Sequence, residues 1–250
     1  MAEPRVYRAE ALVLRQRRLG EADRILALYT LHKGRLDAVA RGVLKPTSHL
    51  AGHLEPLTHV SLLLARGREL AIITQAQGQE IFPHIRRDLH LLGLACYACE
   101  LVARLTPFGE ADPPVFHLLL DALRRLESGE EAGLALRCLE VRLLTHLGYG
   151  PELFRCARCQ EPLLPRANGF SPAAGGALCP SCASQDPAAQ PLSLNALKVL
   201  RLWQRQGFDA ARLRLALPLA GELEEQLHRY LLHVLEQEMR SRAFLKAVGG

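Results

Sequence analysis

The 250-residue sequence has no apolar run of the roughly 18–20 residues that a bilayer-spanning helix needs. Its longest apolar run, residues 91–99, has about half that length. The first ten residues also lack the charged and then apolar pattern of a secretory leader. The sequence therefore predicts a cytoplasmic protein with no membrane partner.

Sequence patterns typical of catalysis are missing too. There is no Walker-type phosphate loop, no GxGxxG after a strand and no GxSxG elbow. A nuclease would need clustered carboxylates to hold Mg²⁺, and the acidic pairs of this chain lack an evident third partner. The sequence favours a binding protein that is not an enzyme and has no small-molecule substrate. A metal-dependent nuclease is the disfavoured alternative.

Aromatic residues are scarce at 5% of the chain, and residues 1–80 contain only Tyr7 and Tyr29. Barrels that bind single-stranded nucleic acid usually combine a basic groove with aromatic side chains that stack on bases. The shortage predicts that binding by this segment depends on phosphate contacts. Such binding would tolerate any sequence, be indifferent between single and double strands, and fall steeply with salt.

Positive charge is concentrated in two parts of the chain. Residues 1–80 carry 12 basic and 8 acidic side chains, whereas residues 81–155 carry 8 and 10, and residues 191–250 carry 9 and 6. This distribution favours a polyanion partner on one side of the molecule, with residues 191–250 as a second candidate surface. The alternative is an ordinary solvated face. The densest basic stretch includes Arg15, Arg17, Arg18, Arg24, Lys33, Arg35, Arg41 and Lys45.

The first 80 residues are predicted to form a small barrel. Five short apolar or alternating runs bounded by glycine or charged residues indicate strands at residues 11–14, 25–29, 36–40, 60–64 and 70–73. Lys33-Gly34 and Arg66-Gly67-Arg68 stand where tight turns are needed, and a longer link follows the third strand. These proportions match a five-stranded OB-fold, with an SH3-like barrel as the alternative.

The sequence pattern becomes helical from about Asp88. Helices are predicted over residues 88–105, from Pro113, over residues 134–147, after an N-cap at Ser193, and from about Gly221. We expect an α+β multidomain protein in which these five helices form one all-α domain. The predicted domains are residues 1–80 (OB-fold, nucleic-acid-binding), residues 81–153 with 187–250 (helical), and residues 154–186 (an inserted zinc-binding ribbon or finger).

Four of the seven cysteines form two CxxC pairs. Cys156 and Cys159 are separated by 19 residues from Cys179 and Cys182, and turn-forming prolines and glycines lie between them. Two such pairs facing each other supply four thiolates for one Zn²⁺, and a site filled by protein has a structural role. Disulfides and a redox CxxC are the disfavoured alternatives. Three cysteines of the predicted helices are expected in the core, namely Cys96, Cys99 and Cys138.

Several N-terminal segments resemble a known family. These are the runs at residues 19–25 (LGEADRI), 29–36 (YTLHKGRL), 39–46 (VARGVLKP) and 54–56 (LEP). Together with the order of a barrel, helices and an inserted four-cysteine segment, they resemble the RecO family of bacterial recombination mediators. The resemblance covers the whole chain, and the N-terminal run is its more specific part.

The resemblance implies a function in DNA repair. RecO-like proteins bind single- and double-stranded DNA, anneal complementary strands and, with RecR, help load RecA onto strands coated by the single-stranded DNA-binding protein, SSB. It also implies recognition of the SSB C-terminal tail, a nucleoid-associated location and no catalytic site. The basic residues that match the family's motif are Arg24, Lys33, Arg35, Arg41 and Lys45, while charge alone adds Arg15, Arg17 and Arg18. An RNA-binding or transcription-associated protein and a protein-only adaptor are the alternatives.

Overall fold

The structure is a computed structural model that describes residues 5–129, 131–210, 213–237 and 239–248. The first four of the ten residues that were predicted to lack a secretory leader pattern lie outside these ranges. The N-terminal part contains five strands, as the sequence predicts. They are β1 (Val6–Leu19), β2 (Asp23–Thr30), β3 (Gly34–Ala40), β4 (His59–Ala65) and β5 (Ala71–Glu80).

The five strands close into a barrel in the order β1-β2-β3-β5-β4, which is the predicted OB-like fold. Strand β1 closes it because its first half pairs with β4 and its second half with β2. The pairing register shifts between Val13 and Arg15, and a bulge of this kind bends a strand from one sheet into another. Leu26, Leu28 and Ala38 belong to the apolar core, so alternate residues of β2 and β3 face outward.

Four helices belong with the barrel in one compact unit, Met1–Gly129 with Met239–Gly250. They are α1 (Pro83–Arg87), α2 (Leu89–Leu105), α3 (Pro113–Ser128) and α8 (Arg240–Val248). The side chain of Asp88 caps α2 by accepting from the backbone N–H groups of His90 and Leu91. Helix α8 packs on α2, where Ser241 donates from its N–H and its hydroxyl to Glu100 Oε2 at 2.8 and 2.6 Å.

The second compact unit is Glu130–Glu238. It contains α4 (Ala132–His146), α6 (Leu194–Gln206) and α7 (Leu217–Leu235), which pack on one another. Ser193 caps α6 as the sequence predicts, because its hydroxyl accepts from the N–H of Ala196 at 3.1 Å. Between α4 and α6 lie α5 (Pro180–Ala183) and a sheet of β6 (Asn168–Ser171), β7 (Gly176–Leu178) and β8 (Gln190–Leu192) in the order β7-β6-β8.

The predicted helices therefore fall into two compact units instead of one bundle. The predicted division at residue 80 marks the change from strands to helices, whereas the compact units separate after Gly129 because α1–α3 and α8 group with the barrel. Three short helices, α1, α5 and α8, were not predicted, since each offers too few residues for a clear apolar period. Among the described residues, no helix is long and apolar enough to span a membrane.

Candidate nucleic-acid interface and metal centre

The outer face of β1, β2 and β3 carries a row of arginines. Residues opposite each other in antiparallel strands point to the same face, and Arg15 pairs with Ala27, which pairs with Asp37. The next row is Arg17, Ile25 and Val39. Since the core residues Leu26, Leu28 and Ala38 occupy the inner positions, both rows face outward. Arg35, two residues before Asp37, shares this face, and Arg41 follows the end of β3.

The electrostatic coupling of Arg15 and Arg35 agrees with this placement. Burial lowers the pKa of Arg35 from its ordinary value, the charge of Asp37 opposes that shift, and the charge of Arg15 lowers the pKa further. Arg15 and Arg35 are therefore near enough to repel each other. A polyanion on this face would relieve the repulsion, because phosphates attract both guanidinium groups.

The loop between β4 and β5 adds two more arginines to this side of the barrel. Arg66 and Arg68 line a groove of about 1000 Å³ together with Arg5, Arg41, Leu19, Asp23, Val39, Gly67, Glu69, Leu70 and Ile72. In OB-folds, the β2–β3 face and the β4–β5 loop are the usual places for oligonucleotide contacts. The sequence pattern at Arg66-Gly67-Arg68 predicted only a turn. Its position between the fourth and fifth strands of a predicted OB-fold was the signal that could have marked it as a candidate contact loop.

A smaller cleft of about 470 Å³ adjoins this groove, and both share the β4–β5 loop residues Arg66, Gly67, Glu69 and Leu70. Two cation–ring contacts line the cleft. The Nζ atom of Lys33 lies 4.8 Å from the centroid of the Tyr7 ring, and Cζ of Arg35 lies 4.1 Å from the centroid of the Phe108 ring. Phe108 is 56% exposed and comes from the connection between α2 and α3.

Backbone contacts fix the Phe108 connection against β3. The N–H of Gly109 donates to the carbonyl oxygen of Arg35 at 2.9 Å. A Cβ atom on Gly34, whose φ is +60°, would lie 1.8 Å from the carbonyl oxygen of Glu110. Only glycine permits this approach, so the missing side chain at Gly34 lets the connection place Phe108 beside Arg35.

The remaining candidate residues lie at the end of the barrel or beyond it. Arg18 is opposite Arg24 in the β1–β2 register, and Arg24 Nη1 donates to Gln16 Oε1 at 2.7 Å and to Glu55 Oε1 at 2.9 Å. Arg24 thus has protein partners away from the outer face. Lys45 is exposed in the loop after β3 and runs alongside Gly42, whose added Cβ would lie 3.6 Å from Lys45 Cδ.

The two tyrosines of the barrel are not stacking platforms on the outer arginine face. Tyr29 is fully buried, and its hydroxyl donates to the carbonyl oxygen of Asp112 at 3.5 Å. Burial raises the pKa of this hydroxyl. Tyr7 is half-buried and packs against the barrel core beneath Lys33.

The four cysteines of the two CxxC pairs meet at one point, with all their sulfur atoms within 4.8 Å of one another. Local backbone hydrogen bonds order both pairs. Cys156 N–H donates to Glu161 O at 2.8 Å, and the carbonyl oxygen of Cys179, which precedes the first turn of α5, accepts from the N–H of Ala183 at 2.9 Å. Cys159 Sγ and Cys179 Sγ are 3.8 Å apart. A tetrahedron of sulfurs at a Zn–S distance of about 2.3 Å has edges of about 3.8 Å, so this donor set fits a metal ion.

Hydrogen bonds to two of these sulfurs favour the thiolate that a metal requires. The Ser181 hydroxyl, 3.2 Å from Cys179 Sγ, and the N–H of Cys182 lower the pKa of Cys179 to about 6. Burial opposes ionisation of Cys156, but backbone N–H groups outweigh it and lower the pKa of that thiol. The hydrogen bond with Cys179 raises the pKa of Cys182, and at Cys159 a backbone hydrogen bond is outweighed by the bonds with Cys156 and Cys179, so that pKa is raised too. Burial raises the pKa of the predicted core cysteines Cys96 and Cys99.

Comparisons with known proteins cover nearly the whole chain. Residues 1–82 match the family described as Recombination protein O N terminal, and residues 86–243 match Recombination protein O C terminal. A protein of Roseiflexus sp. (strain RS-1) named DNA repair protein RecO is 45% identical over 98% of this chain and 86% of its own length. A protein of the same name from Desulforudis audaxviator is 40% identical over 97% of this chain and 97% of its own length. Another from Dehalococcoides mccartyi strain BAV1 is 38% identical over 99% of this chain and 98% of its own length. This chain therefore belongs to the RecO family of DNA repair proteins.

Proposed function

We propose that this protein is a recombination mediator that binds single- and double-stranded DNA along the outer arginine face of its barrel. The observation that carries the proposal is that Arg15, Arg17, Arg35 and Arg41 share one side of the barrel. The groove of about 1000 Å³ that Arg41 lines there adds Arg5, Arg66 and Arg68. Guanidinium groups at this density match a phosphate backbone, because each can donate two hydrogen bonds to one phosphate.

Strand annealing follows from charge neutralisation. Two complementary strands repel each other until cations screen their phosphates, and a protein that carries two basic surfaces can hold both. The second compact unit has basic residues of its own: Arg201 Cζ and Arg205 Cζ lie 5.1 and 4.3 Å from the centroid of the Phe154 ring. These residues support a second DNA contact within residues 191–250.

The partners are those that family membership suggests. We propose that the protein acts with RecR to load RecA onto DNA coated by SSB, that it contacts the SSB C-terminal tail, and that it works at the nucleoid in the cytoplasm. We further propose that it has no catalytic activity of its own. Annealing and loading need binding and release of DNA, and neither requires a covalent step.

We also propose that Cys156, Cys159, Cys179 and Cys182 hold one structural Zn²⁺. The sulfur spacing supports this assignment, and cysteine thiolates favour zinc over hard cations such as Mg²⁺. Because the protein supplies four ligands, the ion would stabilise the small β6–β8 sheet and leave no position for water or substrate.

The test of DNA binding is a double charge reversal with a matched control. Arg17→Glu with Arg41→Glu removes two exposed arginines from the outer face, and Arg8→Glu with Arg87→Glu changes the net charge equally at exposed arginines elsewhere. Fluorescence anisotropy with single- and double-stranded oligonucleotides is measured between 50 and 200 mM salt. Each lost phosphate contact reduces the slope of log affinity against log salt by about 0.7 for single strands and 0.9 for duplexes.

The expected result is a slope reduced by about 1.4 on single strands in the Arg17/Arg41 variant, with slower annealing and little change in the Arg8/Arg87 control. Equal slopes in the two variants would contradict the assigned face. Competition with RNA of the same length tests the alternative of an RNA-binding protein. Absence of salt-sensitive binding to either nucleic acid in the unmodified protein would favour the adaptor alternative.

A further inference from the structure

We propose that Phe108, backed by the guanidinium of Arg35, is a stacking platform for one unpaired nucleobase at the end of the arginine groove. The proposal rests on the DNA-binding function above and deepens it, because it names a residue that distinguishes single strands from duplexes. The platform lies in the cleft of about 470 Å³ that Lys33, Arg35, Arg66 and Phe108 line.

The Phe108 ring is packed against a cation and is also exposed. Arg35 covers one face of the ring at 4.1 Å, yet the residue remains 56% exposed. Since Arg35 covers one face, a base would have to stack on the other face of the ring. Exposure of a large apolar ring to water is unfavourable. Sites that stack nucleobases combine such an exposed aromatic ring with neighbouring cationic side chains.

The connection that bears Phe108 is held by backbone contacts. Phe108 does not lie at a loose loop tip, because Gly109 donates to the Arg35 carbonyl at 2.9 Å and Gly34 lets Glu110 approach β3 closely. Arg35 is therefore fixed on its backbone by Gly109 and on its side chain by the ring. A platform that is already ordered loses little conformational entropy when a base stacks on it.

The cleft that contains Phe108 is continuous with the larger arginine groove. The cleft and the larger arginine groove share Arg66 and Glu69, so a strand whose phosphates follow Arg41 and Arg66 reaches the Phe108 ring at the adjoining cleft. In a duplex, neighbouring base pairs cover both faces of each base. Only an unpaired base can present a face to Phe108, so the contact should favour single strands.

The platform changes the sequence-based expectation that binding is indifferent between single and double strands. That expectation counted aromatic residues only within residues 1–80. Phe108 belongs to the connection between two helices, and folding brings it to the edge of β3. The barrel therefore receives its exposed aromatic side chain from outside the barrel sequence.

The test compares Phe108→Ala with Tyr149→Ala, which removes an aromatic residue of similar exposure in the second compact unit. Three probes are titrated by anisotropy: a single-stranded oligonucleotide, the same backbone with abasic sites throughout, and a blunt duplex. We expect Phe108→Ala to weaken binding of the first probe by about 5- to 150-fold, the range measured for removal of one stacked base contact. We expect no change with the other two probes and an unchanged salt slope.

Phe108→Leu keeps an apolar side chain of similar bulk without an aromatic face, and Phe108→Trp keeps the face. The platform predicts that the leucine variant behaves like alanine and that the tryptophan variant restores binding. Equal losses on the abasic strand and the duplex would overturn the proposal, as would full affinity for single strands in the alanine variant. These outcomes leave the DNA-binding proposal intact if the Arg17/Arg41 variant still loses affinity, so the two failures are distinguishable.

Discussion

A single added methyl group at Gly34 should disrupt the contact between β3 and the Phe108 connection. Gly34→Ala places a Cβ atom 1.8 Å from Glu110 O, which is closer than any real contact, so the connection must move. The matched control is Gly20→Ala, because Gly20 has nearly the same φ, +62° against +60°, and nothing within 4 Å of its added Cβ. The two variants share the backbone strain and differ only in the collision.

The magnitude follows from the contacts that the collision breaks. An alanine in the left-handed region costs about 1–2 kcal/mol, which both variants should show. Gly34→Ala also loses the hydrogen bond from Gly109 to Arg35, worth about 1 kcal/mol, and the exposed stacking of Arg35 on Phe108, worth about 0.5–1 kcal/mol. We therefore expect the free energy of unfolding of Gly34→Ala to fall below that of Gly20→Ala by about 1.5–2 kcal/mol.

Urea denaturation gives the difference in stability, and hydrogen–deuterium exchange of a peptide covering residues 106–112 locates it. The Gly109 amide should exchange faster in Gly34→Ala and remain protected in Gly20→Ala. Single-stranded DNA affinity should fall with it, as in Phe108→Ala. Unfolding of the two alanine variants at the same urea concentration, with equal protection of residues 106–112, would show that Gly34 is not required for the contact between β3 and the Phe108 connection.

Two further substitutions separate structural residues from DNA-contacting ones. Cys179→Ser should reduce zinc, measured by mass spectrometry of the metal, from one ion per chain to well below one and lower the melting temperature, whereas Cys96→Ser should keep the metal. Arg24→Ala should lower the free energy of unfolding by about 1 kcal/mol, because it removes a partly exposed contact with Glu55. Its slope of log DNA affinity against log salt should stay that of the unmodified protein; a reduced slope would assign Arg24 to the interface.

The sequence predicted those parts of the fold that short apolar patterns encode. The five strands, the N-cap at Ser193 and the meeting of four cysteines are confirmed. Strand β1 extends beyond the predicted residues 11–14 on both sides. Residues 15–18 are all polar, and polar positions on a solvated face carry no apolar signal. The bulge at Leu14 also interrupts the alternation of buried and exposed side chains along the strand.

The proposed interface was less accessible from the sequence, because it depends on which residues share a face of the barrel. Counting charge in residues 5–45 grouped Arg24 with Arg35 and Arg41, yet the strand register separates Arg24 from both. The same count left out Arg66 and Arg68, which follow β4 and reach the groove only when the barrel closes. Non-local pairing of this kind leaves no trace in local composition.

The return of the chain to its first compact unit has a consequence for synthesis. Helix α8 packs on α2, with Leu245 Cδ2 only 2.7 Å from where a Cβ on Gly93 would lie. A ribosome makes α8 only after the whole of the second compact unit, so this side of α2 stays uncovered in the nascent polypeptide until residues 240–248 have emerged. A stop codon placed just before Arg240 should therefore expose the α2 surface of a region encoded about 140 codons upstream.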